Sequence, residues 1–189
     1  QGPDVVNLYY GWIPVYAKSG YLQPLPASHF DFEQIEAEFA PMLAASKFDG
    51  QYWGLPTAVR TLGLIYNKEL FANAGIAEPP STWTQLVDIA KKLTIGSGMM
   101  MTQSGYAPGN QKQHLWREVL VRHFGGTPFS EDGRTVMYNS QAGIEAFEFY
   151  TGLITKEQVG LLDFFPGYAG YSQAFMAGRV GMIVDGSFA

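Results

Sequence analysis

Three aromatic side chains, Tyr9, Tyr10 and Trp12, follow a short apolar run, Val5 to Leu8. That run is flanked by Pro3 and Gly11 and reads as a buried strand. Open α/β sheets bind ligands outside the carboxyl ends of their strands. The rule makes the three aromatics candidate ligand contacts, with a core role as the alternative for Tyr9 and Tyr10. Phe188 stands in the same relation to a second apolar run, Val180 to Val184. Asp185, beside it, either accepts hydrogen bonds from a ligand or serves as a turn residue before Gly186. Arg60 can grip a carboxylate or phosphate bidentately, or pair with an acidic group of the protein itself.

Other chemistries lack their residues. There is no cysteine, which excludes disulfides, thiolate metal sites and a thiol nucleophile. The three histidines, His29, His114 and His123, have no metal-ligand spacing, so no metal site is expected. No phosphate-binding glycine loop occurs, and no Gly-x-Ser-x-Gly elbow. Glu118, Asp132 and Asp185 are carboxylates without any spacing that pairs them for glycoside hydrolysis. No catalytic residue and no cofactor is expected. The net charge of −5 and the lack of any Lys/Arg run argue against nucleic acid. No apolar stretch approaches the ~20 residues that span a bilayer.

The elements that must position these residues can be read along the chain. With 189 residues, 47% hydrophobic and 15% charged, it is one large domain or two small ones. A short helix stops at Gly20, and a second run, Phe32 to Leu43, is broken at Pro41. Asp49-Gly50 signals a hairpin. Tyr52 to Tyr66 is too long for one strand and contains Pro56 and Gly63, so it predicts two strands with a crossing near Thr57–Thr61. Asn67 caps a helix over 68–73, and Thr82-Trp-Thr-Gln85 opens a longer one with Trp83, Leu86, Val87, Ala90 and Leu93 on its core face. Strands are expected at Met99–Thr102 and Thr135–Tyr138. Helices are expected at 112–124, after a cap at Asn139 or Ser140 with Ile144, Phe147, Thr151 and Ile154 inward, and at 171–177. Helices alternating with short apolar strands make the class α/β.

The stretches "YWGLP", "LIYNKELFANAGI", "PPSTWTQL", "HFGGTPF", "NSQAGIEAFEFYTGLI" and "AFMAGRVGMIVDGSFA" occur in an order that resembles the extracellular solute-binding proteins of ABC importers. The similarity is to the maltose-binding protein group, which captures sugars and oligosaccharides. It implies a class II periplasmic-binding-protein-like fold of two α/β lobes with a ligand cleft between them. Residues 1–59 would be part of the amino-terminal lobe and 60–189 most of the carboxy-terminal lobe, with a hinge crossing near 57–61 that holds Arg60. Such receptors are considerably longer, so the resemblance implies an internal stretch with an incomplete first lobe.

The resemblance also implies that Gln113, His114, Trp116 and Arg117, at a helix start, reach the cleft. Trp116 as a packing residue and Arg117 as a solvated charge are the alternatives. Aromatic plates suit sugars, which stack apolar C–H faces and present a rim of hydroxyls. The implied function is capture of a saccharide and its delivery to membrane permease subunits. The implied location is periplasmic, or the extracellular face of a bacterial membrane, with the membrane met only indirectly or through a lipid anchor outside this chain. An anionic ligand such as an acidic sugar or sugar phosphate, suggested by Arg60, is one alternative. A carbohydrate-active enzyme is the alternative of another class.

Overall fold

The computed structural model describes residues 2–58, 61–107, 114–161 and 167–186. The chain forms two compact units, Gln1–Arg60 and Thr61–Ala189.

The first unit begins with residues in no regular structure, then a 3-10 turn, Tyr10–Trp12, and helix α1, Ile13–Lys18. Helix α2, Phe32–Phe39, passes into a 3-10 segment, Ala40–Ser46, at Pro41, where an α-helix would lose a hydrogen bond. Two short strands follow, β1 (Lys47–Phe48) and β2 (Gln51–Tyr52), paired antiparallel. Asp49 and Gly50 both have φ near the left-handed region, 52° and 75°, as a type I′ hairpin turn requires. Tyr52 is buried, rests 4.8 Å from the Phe32 ring and donates its hydroxyl to Glu36. Among the described residues, Ile13 and Leu43 are the other buried apolar side chains of this unit.

One expectation fails here. Val5–Leu8 is not a strand, and Val5 and Val6 are exposed. A strand needs a neighbour for its backbone groups, and none of the described residues pairs with this run.

The second unit is built on a three-stranded sheet in the order β3 (Leu62–Tyr66), β5 (Val180–Gly186), β4 (Ser104–Ala107). β5 is central, antiparallel to β3 with Leu62 opposite Gly186, and parallel to β4 with Tyr106 opposite Met182. Helices cover both faces. On one lie α3 (Lys68–Asn73), α4 (Trp83–Leu93), α5 (His114–His123) and α6 (Gln141–Thr155). Phe71, Leu86, Leu93, Leu120, Leu153, Tyr106 and Met182 form the core there. On the other face, α7 (Tyr171–Met176) packs Ala174 against Ala107, Val180 and Ile183. Burial on both sides explains why β5 reads as a near-continuous apolar run.

The helix starts are local chemistry. The Asn67 side chain accepts hydrogen bonds from the Glu69 and Leu70 amides. Thr82 Oγ1 accepts from the Gln85 amide, while Gln85 Oε1 reaches back to the Ser81 amide, a capping box displaced by one residue. Trp83 joins the core beside Phe149. α4 lies very close to the sheet. A Cβ on Gly105 would come 1.8 Å from the Ala90 carbonyl oxygen, and one on Gly181 would come 2.7 Å from Leu93 Cδ1.

Three other expectations are corrected. Met99–Thr102 is not a strand: the Met100 and Met101 amides bond back to the Ser97 and Gly98 carbonyls, closing a 3-10 turn, Gly98–Met100, and the strand begins at Ser104. Thr135–Tyr138 contributes a single bridge, Val136 to Phe129, because the chain around Asp132-Gly133 spends its hydrogen bonds on a turn. The buried line of α6 is Gly143, Ala146 and Leu153, whereas Ile144 and Thr151 are exposed. The small residues decide that rotation, since a Cβ on Gly143 would meet the Tyr138 carbonyl oxygen at 2.1 Å.

Candidate functional site

In the first unit the aromatic candidates form one array on a turn. Tyr9 is extended, and its carbonyl accepts from the Trp12 amide at 3.0 Å, closing the 3-10 turn. Ile13, next in sequence, is buried and anchors the turn. Tyr9 packs on Tyr10, with ring centroids 4.6 Å apart, and meets Trp12 edge-on at 6.0 Å. The three are 38%, 50% and 54% exposed, so they are solvent-accessible and are not core residues. Gly11 permits the arrangement. A Cβ there would lie 2.5 Å from the Tyr9 ring, so the ring folds over the space that only glycine leaves. These aromatics occupy a turn that leads into a helix, and the strand expected before them is absent.

The strand-end rule does not reach Tyr16 and Tyr21, whose rings prolong the array. Tyr16 is 6.5 Å from Trp12, and Tyr21 is 6.0 Å from Tyr16. The signal that pairs them is Gly20. At φ 74° it ends α1 in a Schellman motif, with the Tyr21 amide bonded to the Tyr16 carbonyl and the Gly20 amide to the Ala17 carbonyl, each at 3.0 Å. That motif brings residues five apart into contact.

In the second unit, β4 and β5 are parallel, so their carboxyl ends, Ala107 and Gly186, lie at one edge of the sheet. β3 enters at that same edge through Leu62. Arg60, Gln113 and Phe188 lie outside the described residues. His114 and Trp116 belong to α5, and their side chains also lie outside the described residues. Arg117 is exposed on α5. Its cation acts on two tyrosines: burial raises the Tyr150 hydroxyl and Arg117 partly offsets that, while Tyr138 is raised by burial and by Glu118 against Arg117 and Arg122.

Asp185 is a strand residue paired with Gly63, and not a turn residue. Its carboxylate accepts from the Gly186 amide at 2.8 Å and from Ser172 Oγ of α7 at 3.1 Å. Asp132 accepts from Ser130 Oγ and the Arg134 amide, which hold its carboxyl below the usual range and commit it to a turn. Among the described residues, no group of three or more His, Asp or Glu side chains could hold a metal ion. No described helix is long and apolar enough to cross a membrane. A shallow depression of about 450 Å³ beside α3, lined by Tyr66, Lys68, Phe71 and Ile76 among others, includes none of the candidate residues.

A family model described as bacterial extracellular solute-binding protein matches residues 1–189. A maltotriose-binding protein of Pyrococcus abyssi is 27% identical over 98% of this chain and 38% of its own length. A solute-binding protein of an ABC transporter from Thermotoga lettingae, solved with α-D-tagatose bound, superposes with a TM-score of 0.75 at 26% identity, over 94% of this chain and 46% of that one. An ABC substrate-binding protein of Listeria monocytogenes in complex with cycloalternan gives 0.73 at 26% identity, over 94% and 45%. The chain thus spans less than half the length of these relatives.

Proposed function

Because the chain belongs to the bacterial extracellular solute-binding protein family, we propose that it is part of a receptor that captures a saccharide and delivers it to the permease of an ABC importer. The α/β fold is that of periplasmic binding proteins that bind sugars. The observation that carries the reading is the exposed array of Tyr9, Tyr10 and Trp12 on a turn that Gly11 makes possible. Exposed aromatic rings with polar edges match the apolar faces and hydroxyl rims of sugars. Residues 1–59 are read as part of the amino-terminal lobe and 60–189 as most of the carboxy-terminal lobe. Delivery to a permease places the protein on the outer side of the membrane. Capture and delivery require no chemical step, so the receptor is not an enzyme.

Titration calorimetry with neutral mono- and oligosaccharides tests the reading. Trp12→Ala is expected to weaken binding by about tenfold, since one stacked aromatic contributes roughly 0.5–1.5 kcal/mol and 1.4 kcal/mol is a decade. Hydrolysis of the titrant, or equal affinity in the parent and Trp12→Ala, would reject it.

A further inference from the structure

We propose that Asp49-Gly50 is a site of spontaneous covalent modification, where the aspartate isomerises to isoaspartate and so opens the hairpin between β1 and β2. The proposal concerns the chain itself and is independent of any ligand. The Gly50 amide nitrogen attacks the carbon of the Asp49 carboxyl group. A nitrogen–carbon bond forms, a carbon–oxygen bond of the carboxyl group breaks, and the amide proton leaves with that oxygen as water. The resulting cyclic imide takes up water at one of its two carbonyls. Opening at the side-chain carbonyl restores aspartate. Opening at the main-chain carbonyl leaves the chain running through the β-carbon. The net change is an isomerisation that needs no reagent except water.

The sequence holds Asp-Gly at 49, 132 and 185, and the structure separates the three. Ring closure needs an amide nitrogen that is not committed, a carboxyl group free to rotate, and a backbone that can turn. Asp49 and Gly50 are both exposed, and among the described residues neither the Gly50 amide nor the Asp49 carboxylate has a hydrogen-bond partner. A Cβ on Gly50 would meet nothing within 4 Å, so no neighbour obstructs the approach. Asp49 already sits at φ 52°, where an L-residue is strained, so turning out of that conformation releases strain.

The other two pairs are held. The Gly133 amide donates to the Ser130 carbonyl at 2.8 Å, while the Asp132 carboxylate accepts from Ser130 Oγ at 2.6 Å and from the Arg134 amide at 3.1 Å. Those bonds also favour the ionised carboxylate, which is the poorer electrophile. Asp185 lies in the central strand of its sheet, with Gly186 buried opposite Leu62 and the carboxylate bonded to Ser172 Oγ. Turning the backbone there would break the ladder.

The hairpin is also where the change has most effect. β1 and β2 pair Phe48 with Gln51 across a two-residue turn. Isoaspartate puts the β-carbon into the main chain, and a turn of that type has no room for an added backbone atom. The buried Tyr52 depends on this register, as does Trp53, whose Nε1 donates to the Phe48 carbonyl at 2.9 Å. So short a hairpin opens at little cost, which lets the ring close before the rest of the chain unfolds.

Trypsin places the three pairs in separate peptides, 48–60, 123–134 and 180–189. The whole chain is aged, folded, in heavy-oxygen water at mildly acidic pH. It is then digested, and electron-transfer fragmentation locates isoaspartate. Peptide 48–60 is expected to gain isoaspartate and a heavy oxygen about tenfold faster than either other peptide, because an opening cost of 1.4 kcal/mol is one decade. In urea the three rates are expected to converge. The isomerised chain, separated by ion exchange, is expected to be cut after Lys47 several-fold faster than the parent under native conditions. Equal rates in the folded chain, or a lead for 123–134 or 180–189, would overturn the site. A lead for 48–60 that persists undiminished in urea would do the same, since it would come from sequence and not from the fold. Unchanged cleavage after Lys47 would overturn the opening of the hairpin.

Discussion

An alanine at position 105 would put its methyl group 1.8 Å from the Ala90 carbonyl oxygen, where backbone meets backbone and no side chain can yield. Gly105→Ala is therefore expected to cost about 3 kcal/mol or more, a clash at the severe end of overpacking. Urea unfolding of the variant measures it. The residue beside it behaves oppositely. Tyr106 is fully buried, its hydroxyl has no hydrogen-bond partner among the described residues, and burial pushes its ionisation far above the ordinary range. Tyr106→Phe removes the orphan oxygen and keeps the ring. It is expected to raise stability by about 1 kcal/mol, and a loss of that size would show that the hydroxyl has a partner in solution. Neither fact is legible in the sequence, where Gly105 looks like any loop glycine and Tyr106 like any aromatic.

At the scale of elements, what could be read is what is encoded by neighbours in the chain. Asn67, Thr82, Ser140, Asp49-Gly50 and Gly20 each act within a few residues of themselves, and the caps and turns they imply are present. What failed depends on distant partners. Val5–Leu8 has the composition of a strand but no pairing partner among the described residues, and α6 has apolar residues on so many sides that its core face is set by contact with Tyr138. The exposed aromatic turn was legible as residues but not as geometry, because Gly11 acts through the space it leaves.

One link between elements has a pH signature. Lys91 of α4 pairs with Glu157, just beyond α6, and this contact holds the Glu157 carboxyl below its ordinary value of 4.5. The pair therefore contributes fully above the unfolded-state value and is lost as the pH falls through the lowered folded-state value. Glu157→Gln should be less stable than the parent at neutral pH by no more than about 1 kcal/mol. The difference should close as the pH drops below 4.5, and thermal melts across that range would show it.

For the molecule as a whole, the two units differ in what holds them. Both clusters of buried apolar side chains belong to the second unit, while the first relies on Ile13, Leu43 and Tyr52 around a two-residue hairpin. Few buried contacts mean low local stability. Amide hydrogen exchange is expected to be fast across residues 2–58 and slow in β4, β5 and α4. Equal protection in the two units would contradict that ranking.

The strand at the centre of the sheet is also the last of the three in the chain. β3 and β4 do not pair with each other, so among the described residues no ladder of this sheet forms until β5 has been made. A chain growing from the ribosome would carry two unpartnered strands and a set of amphipathic helices until residues 180–186 emerge. Such non-local pairing is slow to form, because a long loop must close before any contact compensates for it. A chain ending at residue 179 is expected to show no cooperative melting transition, and adding residues 180–186 should restore one.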